Sequence, residues 1–152
     1  MANPSWSPDG TKITFDAANG IYVVDADGSH LRLLFSSPPD GGPGYPSWSP
    51  RGNLILFEST PSSAGGYTVE VWVMKPDGSG RRRLYRSQCC DGLWSPPIWS
   101  PDGRAIAVGT SVYDANGITS DGILVMDPQG NHRQRVFGNP EAIAWQSIPR
   151  AR

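Results

Sequence analysis

Short apolar runs, each cut by glycine, proline or aspartate, recur along the 152-residue chain. One set is Thr11-Lys12-Ile13-Thr14-Phe15, Asn53-Leu54-Ile55-Leu56-Phe57 and Arg104-Ala105-Ile106-Ala107-Val108. A second is Ile21-Tyr22-Val23-Val24-Asp25, Val71-Trp72-Val73-Met74-Lys75 and Ile123-Leu124-Val125-Met126-Asp127. A third mixes basic and apolar positions: His30-Leu31-Arg32-Leu33-Leu34, Gly80-Arg81-Arg82-Arg83-Leu84 and His132-Arg133-Gln134-Arg135-Val136. Runs of this length, rich in Val, Ile, Leu and Tyr and bounded by turn residues, predict strands. No stretch of a dozen residues keeps apolar positions at i, i+3, i+4 and i+7 without a glycine or proline cutting it, so no helix is predicted.

The runs belong to a repeat. Pro4-Ser5-Trp6-Ser7-Pro8-Asp9-Gly10 returns as Pro46-Ser47-Trp48-Ser49-Pro50-Arg51-Gly52 and as Pro97-Ile98-Trp99-Ser100-Pro101-Asp102-Gly103, with a worn copy around Trp145. A second turn, Asp27-Gly28-Ser29, Asp77-Gly78-Ser79 or Gln129-Gly130-Asn131, precedes each basic strand. Proline presets φ, glycine accepts positive φ and aspartate bonds nearby amides, so both phrases are turns. Four strands per unit, with a tryptophan in the first, at a period of about 40 to 50 residues, is the sequence form of a β-propeller blade. The expected fold is all-β: one domain over 1–152, with antiparallel blades at about 3–35, 45–86 and 96–137 and a terminal partial repeat at 140–149.

The motif P-x-W-S-P-D-G, followed by a strand ending in Asp, D-G-S and an Arg-Leu strand, resembles the TolB-type propeller repeat. Arg51, Gln129 and the degenerate Trp145-Gln146-Ser147 depart from it. The resemblance implies an innermost first strand and a six-bladed ring, of which this chain is half. It also implies an extracytoplasmic, periplasmic or secreted, bacterial parent.

Composition narrows the partners. Gly 18 and Pro 15 make up 33 of 152 residues, well above the ~12% average for the pair, in keeping with frequent turns. Thirteen basic and fourteen acidic side chains leave a net charge of −1, which gives no field to attract nucleic acid or an anionic membrane. No apolar run reaches the ~18 residues of a spanning helix, and Met1-Ala2-Asn3-Pro4 has no secretory-signal pattern, so no membrane insertion is expected. Cys89 and Cys90 are adjacent, which rules out a disulfide framework and leaves the redox compartment unread.

Recurrence at one position argues that Trp6, Trp48, Trp99 and Trp145 pack between blades rather than stack on ligands. Asp9, Gly10, Gly52, Asp102 and Gly103 read as turn formers, since Arg51 fills the aspartate slot of the second copy. The chain has no nucleophile elbow, zinc-protease helix, phosphate loop or dinucleotide fingerprint, so no catalytic, metal or cofactor residues are assigned. His30 and His132 share a repeat position and read as solvated strand ends. Asp114 to Asp121 faintly resembles a calcium loop but lacks its carboxylate spacing and reads as a polar loop. Arg81, Arg82 and Arg83 alternate in direction and read as a protected outer edge.

Loop length carries the functional signal. Alternating strand directions put the short, constant turns on one end of the blades. The variable segments 16–20, 59–70 and 110–122 within blades, and 36–45 and 87–96 between them, lie on the other. Insertions gathered on one end of a repeat protein mark a binding surface. Tyr45, Tyr67, Glu70, Trp94, Tyr113, Asp114 and Asp121 are its candidates, alongside Cys89, Cys90 and Asp91. The leading expectation is a non-enzymatic scaffold that binds a protein or peptide there. The alternatives are an accessory propeller of a prolyl-oligopeptidase-type peptidase and, with only two histidines against it, a propeller lyase. Three blades leave two open faces, so a homodimer closing six blades is expected, with the Trp145 and Trp6 strands competing for one place.

Overall fold

The computed structural model describes residues 2–17, 20–36, 42–61, 68–87, 91–114 and 117–137. Its strands are β1 (Ser5–Trp6), β2 (Lys12–Ala17), β3 (Gly20–Asp25), β4 (Arg32–Ser36), β5 (Gly42–Trp48), β6 (Ile55–Thr60), β7 (Glu70–Met74), β8 (Arg82–Arg86), β9 (Asp91–Trp99), β10 (Ile106–Asp114), β11 (Gly117–Met126) and β12 (Gln134–Phe137). Consecutive strands pair antiparallel into three four-stranded sheets, β1 to β4, β5 to β8 and β9 to β12. No helix occurs among the described residues. The chain is all-β, built as propeller blades.

The signature turn works mainly through its serine. The Ser7, Ser49 and Ser100 N–H groups donate to the carbonyls of Lys12, Leu54 and Ala105 at 2.8, 2.9 and 2.8 Å. Their hydroxyls accept from the N–H of those same residues at 2.9, 3.2 and 2.9 Å. All three serines are buried, so the turn satisfies its own polar groups where water is excluded. The carboxylates of Asp9 and Asp102 accept from Ser7 and Ser100 Oγ at 2.6 and 2.7 Å. Where Arg51 replaces aspartate, Ser49 Oγ donates to Asn53 Oδ1 at 3.0 Å, and Arg51 Nε reaches the Asp102 carbonyl of the next sheet at 3.0 Å.

Each sheet presents two faces because side chains alternate along a strand. Ile21, Val23 and Leu34 of the first sheet meet Trp48, Ile55, Phe57 and Met74 of the second. Leu56, Val71, Val73 and Leu84 of the second meet Trp99, Ile106, Val108, Leu124 and Met126 of the third. The two clusters use equivalent repeat positions, so one joint is built twice. Two arginines fasten it. Arg81 Nη2 donates to the Leu34 carbonyl at 2.6 Å and Arg133 Nη2 to the Leu84 carbonyl at 2.5 Å. Their Nε groups hold Gly78 and Gly130 carbonyls, and their guanidinium groups lie over Phe35 and Tyr85. Gly78 sits at φ 83°, and a Cβ there would lie 2.9 Å from the Leu34 carbonyl oxygen, so backbone meets backbone.

Several expectations change. Trp48 and Trp99 are buried, but Trp6 is 57% exposed, because no sheet covers its side of the first blade. Segments 110–122 and 87–96 are largely strand: β10 and β11 run to Asp114 and Gly117, and β9 begins at Asp91. The β-branched residues Thr110, Val112, Ile118 and Thr119 favour pairing over the loop that glycine and aspartate suggested. Asp114 and residues 117–121 therefore lie on the two paired strands of one hairpin, with Asp114 paired to Gly117 and Ser111 to Asp121. Arg81, Arg82 and Arg83 do alternate, but they bind rather than protect an edge: Arg82 Nη2 donates to the Pro128 carbonyl at 2.7 Å in the next sheet. Tyr67, Cys89, Cys90 and the Trp145 repeat lie outside the described residues.

Candidate functional site

The two ends of the sheets differ. At the turn end the first and third hairpins lock together: Ala26 N–H donates to the Thr11 carbonyl at 2.9 Å, and Lys12 pairs with Asp25. Asp25 is held below its usual range by Lys12 first and by His30 second. His30 and His132 adopt φ of 53° and 52°, unusual for a residue with a Cβ. Each ring Nδ1 lies 2.8 or 2.7 Å from the carboxylate of Asp25 or Asp127, which ties the left-handed turn down. A cleft of about 350 Å³ opens between the first two signature turns, walled by Pro8, Pro50, Arg51 and Pro76 over Trp48. Asp9 at its lip is lowered to about 2 by hydrogen bonds from Ser7 and then from Thr11. Its carboxylate is therefore engaged with the turn rather than available as a base.

The opposite end is uneven. The hairpin of β2 and β3 stops at Ala17 and Gly20, whereas β10 and β11 continue to Asp114 and Gly117, with a register shift between Val112 and Tyr113. Strand β9 follows β10 as far as the Asp91–Val112 pair. The third blade thus ends in a three-stranded ledge. Beside it, Tyr45 is exposed at φ 54°, inside the register shift that separates Gly44 from Ser47 on β5. A tyrosine in that backbone region is uncommon and is imposed by its surroundings. Glu58, cross-strand from Gly44, has its carboxyl raised to about 7 by burial.

Among the candidates named from sequence, the structure places Trp94 on β9, Tyr113 and Asp114 on β10, and Asp121 on β11, in strands rather than loops. Glu70 opens β7 and is buried, not displayed. Its Oε1 accepts from Arg83 Nη1 at 2.7 Å, its Oε2 from Trp72 Nε1 at 2.9 Å, and Arg86 lies 3.6 Å away. That carboxylate ties β7 to β8 within the second sheet, because the strand begins at Glu70 itself. Sequence reasoning missed Glu58 and the Arg81 and Arg133 fasteners; only alignment of the three copies, residue for residue, exposes the arginines. Among the described residues no three His, Cys, Asp or Glu side chains gather to hold a metal. At this end the arrangement is a backbone ledge, β10 paired with β11 to its tip and β9 alongside as far as Asp91.

No protein-family model matches the chain. TolB of Gluconobacter oxydans is 42% identical over 64 residues, which is 42% of this chain and 12% of that protein. A solved structure described as a TolB from Agrobacterium tumefaciens superposes with a TM-score of 0.65 at 26% identity, over 89% of this chain and 48% of that one. The chain is built of TolB-like β-propeller blades. These TolB-like blades are also similar to the uncharacterized peptidase YuxL of Bacillus subtilis, 25% identical over 126 residues, or 78% of this chain and 18% of that protein. The chain thus spans less than a fifth of the curated relatives it matches. Solved peptidases under 20% identical share the fold alone.

Proposed function

We propose that the chain is a non-enzymatic propeller scaffold that recognises a protein or peptide at its ledge end. One observation carries this: the blades share closely matched turns at one end, while at the other the third blade is lengthened into a ledge beside the exposed, backbone-strained Tyr45. Aromatic and acidic residues on rigid strands bind polar-rimmed surfaces at low entropic cost. In this reading the parent protein works outside the cytoplasm, as the TolB resemblance implies. Peptides selected from a random display library on the intact chain provide the test. Binding should be lost in a Tyr45→Ala, Trp94→Ala, Tyr113→Ala triple variant that keeps its β circular dichroism. Peptides insensitive to that variant but sensitive to Arg51→Ala would move recognition to the turn end and overturn the proposal.

The YuxL similarity favours a second reading, an accessory propeller of a peptidase. In that role the ledge would guide substrate toward a separate hydrolase domain. A hydrolase sequence in the same reading frame, together with peptide turnover that changes on the triple substitution, would decide for it.

A further inference from the structure

We propose that the open face of the first blade docks the third blade of a second copy of this chain. Trp6, Ile13, Phe15, Tyr22 and Val24 occupy the positions that Trp48, Ile55, Phe57, Trp72 and Met74 hold in the second blade, where most are sealed against the first. In the third blade the same positions are Trp99, Ile106, Val108, Leu124 and Met126, sealed against the second. Yet on the first blade Trp6 is 57% exposed, and Phe15 and Tyr22, stacked 5.6 Å apart, are only partly buried. The chain carries the matching counter-surface at its far side: partly exposed Ile123 and Val125 and half-exposed Val136 stand where Val71, Val73 and Leu84 meet the next blade.

Two substitutions set this face apart from a solvated one. The fastening position occupied by Arg81 and Arg133 is Leu31 in the first blade, 59% exposed, and the position of Arg83 and Arg135 is Leu33, 48% exposed. Arginines that tolerate water are replaced by leucines that do not, only on the blade with no blade before it. A covered face explains this, since an exposed apolar patch of this kind marks an interaction surface. The occupant follows from the joint itself: in both joints this face takes a blade that offers Val, Ile and Leu side chains, and the far side of this chain presents Ile123, Val125 and Val136. Two copies meeting head-to-tail satisfy both open faces of each, and a closed pair leaves no free face. The extent agrees as well, since the three sheets match 48% of the solved Agrobacterium chain, about half of it.

The test is mass in solution across a concentration series, by light scattering and sedimentation. The intact chain should run at twice 16.4 kDa. Trp6→Glu and Val136→Glu alter residues exposed in the single copy, so each should keep its circular dichroism and fall to 16.4 kDa. Leu31→Arg should leave the pair intact or tighten it severalfold, because Arg81 and Arg133 show that a guanidinium at this position reaches the neighbouring carbonyl. A monodisperse intact chain at 16.4 kDa would overturn the proposal and assign the face to a blade of another polypeptide. Dissociation by Leu31→Arg, or growth into open arrays, would equally overturn it. Peptide binding at the ledge is a separate readout, so failure here leaves the recognition reading standing or falling on its own.

Discussion

At Glu58 a carboxyl whose ordinary value is 4.5 is pushed up to about 7 by burial. The folded state therefore favours the protonated acid. Stability from this group is fully present below about 4.5 and is lost as pH rises through about 7. Glu58→Gln should raise the melting temperature at pH 8, by the equivalent of about 2 kcal/mol, and leave it unchanged at pH 4. Equal shifts at both pH values in thermal scans would show that packing, not charge, governs the site. Glycine gives a paired experiment. Gly28 and Gly78 share a left-handed backbone at φ 87° and 83°, but only Gly78 faces a neighbouring carbonyl within 4 Å. Both alanine variants should lose about 1 kcal/mol to backbone strain, and Gly78→Ala should lose clearly more in urea titrations. Equal losses would mean that the joint gives way to a methyl group.

At the scale of strands and joints, the tryptophans are not equivalent despite their shared motif. Trp48→Ala and Trp99→Ala should each cost about 3 to 5 kcal/mol, since each removes a buried ring from a blade-to-blade cluster. Trp6→Ala should cost under about 1 kcal/mol in the single copy, the usual range for an exposed site. The comparison is read from chemical denaturation of the three variants. The same contrast shows how far the sequence could be read. Strand composition and the Ser-Pro-Asp-Gly and Asp-Gly-Ser turns made all three sheets legible, because turn chemistry is local. Trp6 shares the motif of Trp48 and Trp99 but not their burial in the single copy, because a motif does not record whether a neighbour is present. The ledge is not legible because Asp114, Gly117 and Asp121 carry turn chemistry, yet pairing of β10 with β11 overrides it. Glu70 was taken for a displayed acid because its partners, Trp72, Arg83 and Arg86, include two that arrive from the next strand.

The described residues form three blades with two joints, each made between blades consecutive in the chain. Stability in such an array divides into blade and joint contributions. In a single copy the middle blade is clasped on both faces and the outer blades on one. Amides of β6 and β7 should then exchange slowest, with β2, β3, β10 and β11 opening first, in hydrogen exchange on the Trp6→Glu variant. A paired ring should even out that gradient, because every blade then has two neighbours. A gradient unchanged between the variant and the intact chain would argue against any added joint.

The arginine fasteners point one way: the second and third blades each hand a guanidinium back to a carbonyl of the blade before them. An array with such polarity has a direction but no privileged origin. A circularly permuted gene that begins at the second blade and ends with the first would keep every joint, exchanging only which one is covalent. Leu31 would then lie inside the chain, and Arg81 would become the clasp between copies.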